Sequence, residues 1–170
     1  MSGFKRVTAV SIFLIITSLV FINILPAKSR DLTVGEKAPD FTLSDTKGNV
    51  ISLSDYKGKN VVLINFFTTW YPSCVRYMSV VEKFYKSHKK KGLVVLSIDI
   101  EEPVDKVAKV EEKYKISYTM LLDKNGATAR DYNVRGVPYV MVIDKKGNIR
   151  WIGRLFSKEM KKLVSQLLAE

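Results

Sequence analysis

Two predominantly apolar runs flank a single amphipathic stretch, and this arrangement restricts the possible folds more than any other feature of the sequence. Val61 to Phe67 (VVLINFF) and Leu93 to Ile100 (LVVLSIDI) are rich in β-branched, aliphatic and aromatic residues. Runs of this length and composition predict strands buried on both faces. Between them, Val75, Met78, Val81, Phe84, Tyr85 and His88 recur at three-to-four spacing, which predicts a helix from Pro72 to Lys91. Pro72 suits the first helical position, and Gly92 makes a C-terminal stop.

The flanking segments fit the same α/β class. Asp40 to Leu53 alternates around Asp45-Thr46-Lys47-Gly48-Asn49, the pattern of an N-terminal β-hairpin. Pro103 opens a charged helix reaching about Tyr114. A short strand is expected around Met120 to Leu122, a helical turn near Ala127 to Tyr132, and a strand at Tyr139 to Ile143. Asp144-Lys145-Lys146-Gly147-Asn148 turns the chain into an antiparallel neighbour at Ile149 to Leu155. Ser157 can cap a last helix whose apolar positions are Met160, Leu163, Val164, Leu167 and Leu168. The sum is a mixed central sheet with helices on both faces, formed by residues 31–170. A chain of about 140 residues buries roughly two-thirds of its unfolded surface, so no metal or disulfide staple is required.

Residues 1–30 form a separate unit. Val7 to Leu25 carries no charge and follows Lys5 and Arg6; at about 1.5 Å per residue a helix of this length matches the ~30 Å hydrocarbon core of a bilayer. This predicts a signal-anchor with the rest of the chain outside the cytoplasm. A cleaved signal peptide, with Leu25-Pro26-Ala27 at its cleavage site, is the competing reading. Residues 26–33 join the anchor to the domain as a short tether. Four of the 28 basic residues and none of the 17 acids lie in residues 1–30, which leaves +7 of the net +11 on the domain.

Cys74 is the sole cysteine. That count excludes an internal disulfide framework, a Cys-rich zinc site and any reaction needing two thiols in one chain. His88, the sole histidine, supports neither a metal site nor a catalytic triad. Asp99, Glu101 and Glu102 read as helix-opening acids ahead of Pro103. Lys86 to Lys91 reads as a solvated helix terminus, since no aromatic residues interleave with it to suggest nucleic-acid binding. No glycine-rich phosphate loop is present, and neither a cofactor nor a metal is expected.

At the motif level the chain resembles the TlpA/ResA-type thioredoxin-like proteins, membrane-tethered thiol-disulfide oxidoreductases of the bacterial cell envelope. The likeness runs from Val34-Gly35 and Ala38-Pro39-Asp40-Phe41-Thr42-Leu43, a segment that peroxiredoxins share. It continues through Val62 to Trp70 and through Gly136-Val137-Pro138 with the Ile143 to Ile149 hairpin turn. The resemblance implies a thioredoxin-like fold, a cis peptide bond at Pro138, and a client-binding groove formed by Trp70, Tyr71, Pro72, Val137 and Pro138. The implied clients are extended peptides or thiol- or disulfide-bearing envelope proteins, apocytochrome c among them.

The redox motif departs from that family. Where it has Trp-Cys-X-X-Cys, this chain reads Trp70-Tyr71-Pro72-Ser73-Cys74, and Tyr77 and Ser79 stand where many members carry glutamate and proline. Dithiol exchange needs a first thiolate to attack and a second thiol to resolve; a phenol with a reference pKa near 10 does neither. Three functions remain. Cys74 exchanges thiols through a mixed disulfide resolved by a second molecule; the domain is a redox-inactive client-binding module; or it is a one-cysteine peroxidase, although Tyr71 stands where a PxxxTxxC motif needs threonine. The first helical turn favours thiolate over thiol at Cys74 from a reference near 8.5, an apolar surround acts against it, and shielding by Tyr71 and Trp70 slows attack further.

Overall fold

The computed structural model describes residues 31–154 and 156–170. Its strands are β1 (Thr42–Asp45), β2 (Val50–Ser52), β3 (Val61–Phe67), β4 (Leu93–Ile100), β5 (Thr119–Asp123), β6 (Tyr139–Ile143) and β7 (Ile149–Gly153). The helices are α1 (Pro72–His88), α2 (Val104–Lys113), α3 (Ala127–Asp131) and α4 (Lys158–Ala169). One seven-stranded sheet runs in the order β2-β1-β5-β4-β3-β6-β7.

All seven residues of β3 are buried. It pairs parallel with β4, placing Phe67 opposite Asp99, and antiparallel with β6. The parallel link passes through α1, and β5 also pairs parallel with β4, so the sheet is mixed. The N-terminal hairpin joins the same sheet because β1 pairs antiparallel with β5 as well as with β2. At the far side the β6 to β7 ladder slips register between Val142 and Ile143.

The sheet separates two cores. Leu63, Phe67 and Val95 face Met78 and Val81 of α1, Val107 of α2, and Met160, Val164 and Leu167 of α4. On the other face Ile64, Phe66, Ile98 and Met141 meet Ala129 of α3 and the hairpin residues Phe41 and Leu53. Tyr132 closes that face. Its ring lies 5.3 Å from Phe66 and 6.1 Å from Phe41, and its hydroxyl donates to the Pro39 carbonyl at 2.6 Å.

The two turns read from sequence are built alike. Asp45 accepts the amides of Lys47 and Asn49, and Asp144 those of Lys146 and Asn148; Gly48 and Gly147 take the left-handed backbone that closes each turn. Ser157 caps α4 by accepting the Met160 amide at 3.1 Å.

Boundaries shift at two ends. α1 stops at His88 and a single 3₁₀ turn carries Lys89–Lys91 to Gly92, whose φ of 99° ends it. β7 ends at Gly153 rather than running to Leu155, which lies outside the described residues. The expected anchor at residues 7–25 and the 1–30 unit also lie outside them. Among the described residues no helix is long and apolar enough to cross a membrane.

Candidate functional site

The site forms where β3 gives way to α1. Pro72 opens α1, and Tyr71 at the N-cap contributes no side-chain cap; the first turn holds no acid. Trp70 projects into solvent at 70% exposure and meets the ring of Tyr71, itself 37% exposed, edge-on at 5.9 Å. Cys74 lies in the first turn of α1. It is 2% exposed and packed in the core with Phe67 and Met78. The two opposing influences expected on its thiol are thereby decided: burial pushes the pKa up, the Glu102 charge adds to that, and backbone hydrogen bonds at Thr68 and Cys74 only partly offset it.

Across from this segment the Val137-Pro138 peptide bond is cis. Two clefts open beside it. The larger, about 520 Å³, is walled by Tyr71, Tyr77, Val80, Val137 and Pro138, with Ser73, Arg76 and Arg154 completing it. The other, about 430 Å³, lies between Trp70, Tyr71, Ile100, Val134, Arg135 and Val137. Tyr71 and Val137 line both, forming the ridge between them. Of the expected groove residues, Trp70, Tyr71, Val137 and Pro138 therefore converge, whereas Pro72 serves as the first residue of α1 and lines neither cleft. Cys74 also lines neither. A further cavity of about 280 Å³ lies between Leu53, Tyr56, Val62 and Ile143.

The acids near Pro103 do not simply open a helix, which corrects the sequence reading. Glu102 turns back across the strand ends and accepts both the backbone amide and the hydroxyl of Thr69, the latter at 2.6 Å. Asp99 is fully buried and accepts the Glu102 amide at 3.0 Å, while its other oxygen has no hydrogen-bond partner among the described residues. Burial, the hydrogen-bonded contact with Glu102 and the charges of Glu102 and Asp123 push the Asp99 carboxyl up to about 8. Burial opposes charge at Glu102 too, but hydrogen bonds from Thr69 and Asp99 and the charge of Lys106 hold its pKa below the usual carboxylate range. One signal pointed here: Asp99 is the lone acid inside an otherwise buried strand. Arg135 and Arg154 were also missed, since nothing local to them announces a cleft. His88 is half-buried against the Phe84 ring, with centroids 4.3 Å apart.

Residues 34–152 match the model of the AhpC/TSA family. The thiol-disulfide oxidoreductase ResA of Geobacillus kaustophilus is 35% identical over 133 residues, spanning 78% of this chain and 75% of that protein. The thioredoxin-like protein YneN of Bacillus subtilis is 36% identical over 138 residues, 78% of this chain and 79% of that one. Among solved structures, a putative protein disulfide isomerase from Bacteroides thetaiotaomicron superposes with a TM-score of 0.75 at 28% identity, covering 82% of this chain and 92% of its own. A putative thiol:disulfide interchange protein DsbE from Chlorobium tepidum gives 0.72 at 28%, over 82% and 97%. The chain belongs to the AhpC/TSA family and, within it, to the ResA-like thiol-disulfide oxidoreductases with a thioredoxin-like fold.

Proposed function

We propose that this chain is a membrane-tethered, extracytoplasmic thioredoxin-like protein that holds an extended segment of a thiol- or disulfide-bearing client beside Tyr71 and Pro138, without a dithiol cycle. The observation carrying this reading is the burial of Cys74, 2% exposed, while Tyr71 three residues before it is exposed. A thiol that is buried and shifted toward its protonated form is a poor nucleophile, while the two clefts remain open to a peptide. The anchor is residues 7–25, and the charge pattern Lys5-Arg6 supports an outside location for the domain. Envelope proteins carrying reduced cysteine pairs, apocytochrome c among them, are the client class this reading implies.

The test is capture of a cysteine-bearing extended peptide by the full-length chain in detergent, compared with its Cys74→Ala variant. Equal binding by both supports a binding module, and loss of binding with the thiol overturns it. Mixed-disulfide exchange through Cys74 is the second reading, favoured by the position of the sulfur in the first turn of α1 with backbone hydrogen bonds at Thr68 and Cys74 that favour thiolate. Mass spectrometry after treatment with oxidised glutathione separates the two: an adduct at Cys74 in the folded protein supports exchange, and its absence removes it. A peroxidase reading gains nothing from a sulfur lining neither cleft.

A further inference from the structure

The larger cleft has a chemical character of its own. Arg76 and Arg154 reach it from α1 and from the residue after β7, and its lining includes no aspartate or glutamate. Arg135 pairs with Asp31 at 2.9 Å and Arg150 with Asp144 at 3.2 Å. Arg76 and Arg154 have no carboxylate partner among the described residues. Among the described residues the Arg76 side chain donates to the Ser73 hydroxyl, at 3.0 Å. The Arg154 guanidinium lies over Gly136, so close that a Cβ there would stand 3.2 Å from its nitrogen. The absence of a side chain at Gly136 thus lets this cation rest against the loop that leads to Pro138.

Apart from Ser73 and the two arginines, the lining is apolar or aromatic: Tyr71, Tyr77, Val80, Val137 and Pro138. The Val137 backbone, at the lip, makes no backbone hydrogen bond among the described residues. An unpaired guanidinium presents a fork that matches a carboxylate, and free backbone groups beside apolar walls suit an extended main chain. We propose that this cleft selects client segments in which an acidic side chain alternates with apolar ones, Arg76 and Arg154 taking the carboxylate. This inference rests on the client-binding reading above and names the class of segment bound.

The experiment uses the full-length chain in detergent and three fluorescein-labelled decapeptides, in which apolar residues alternate with glutamate, glutamine or lysine. Anisotropy titration should show the glutamate peptide binding about tenfold more tightly than the glutamine peptide, and the lysine peptide weakest. Raising salt from about 0.05 to 0.5 M should narrow the difference, because exposed charge pairs are screened. The double variant R76Q/R154Q, changed only at exposed side chains, should remove the preference for glutamate, so that the glutamate and glutamine peptides bind it equally. Equal affinity for the glutamate and glutamine peptides overturns the acidic selection and leaves the groove reading standing. Failure of all three to bind overturns both. A second copy of the chain as occupant would appear as an Arg154-dependent dimer in sedimentation, and that result also overturns the proposal.

Discussion

Glu102 holds Thr69 through both carboxylate oxygens, one receiving the backbone amide and the other the hydroxyl. This contact fastens the end of β4 to the segment that leads into α1. Hydrogen bonds to a charged acceptor contribute about 1.5–3 kcal/mol each. Glu102→Ala should therefore lower stability by about 3–6 kcal/mol, and Thr69→Val, which keeps the amide contact, by about 1.5–3 kcal/mol. Thermal unfolding followed by circular dichroism checks the order of the two. Equal melting temperatures for Glu102→Ala and the parent would show that the contact contributes nothing.

Stability should fall as pH rises through the range in which Asp99 titrates. In the folded chain its carboxyl keeps a proton up to about pH 8, whereas its ordinary value is 3.8. Between those limits the folded state binds more protons than the unfolded state, so this group's contribution is complete at the acid end and lost by about pH 8. Glu102 acts in the opposite sense: its depressed pKa adds stability above the ordinary value of 4.5 that is lost as pH falls through its folded value. Asp99→Asn should melt higher than the parent at pH 8 and lose that advantage toward pH 5. A parallel pair of melting curves across this range would refute the assignment.

The Cys74 thiol should resist reagents until the fold opens. Iodoacetamide is expected to label it at least about tenfold more slowly in the native protein than in urea, because both burial and a raised pKa reduce accessible thiolate. Tyr71→Cys places a thiol at the exposed N-cap three residues before Cys74. That variant should gain dithiothreitol-driven insulin reduction absent from the parent. A variant that stays inert while forming the Cys74 disulfide would show that the surrounding site has lost more than a cysteine.

Tyr132→Phe removes the bond to the Pro39 carbonyl and keeps the ring against Phe66 and Phe41. The expected loss is about 0.5–1.5 kcal/mol, seen as a lower urea midpoint with an unchanged slope. A change in slope would mean that the segment before β1 had come away from the sheet.

The strands, the two Asp-to-Asn turns and the α4 cap were legible in the sequence because each depends on residues close together in the chain. Gly136-Val137-Pro138 was legible by resemblance. Glu102 was misread because its partner, Thr69, stands 33 residues away and only the parallel pairing of β3 with β4 brings them together. Arg154 was overlooked for a similar reason: it reaches the cleft through the β6 to β7 ladder and the space above Gly136. At Cys74 local reasoning named both competing influences, and packing with Phe67 and Met78 settled which prevailed.

The register slip between β6 and β7 acquires a different meaning when the sheet is viewed from its margins. One margin is β2, only three residues long; the other is β7, five residues long and entered through that slip. Short and bulged margins present no long flat ribbon of free amides for a neighbouring copy to extend. Edge-to-edge pairing between copies is thereby disfavoured at both margins.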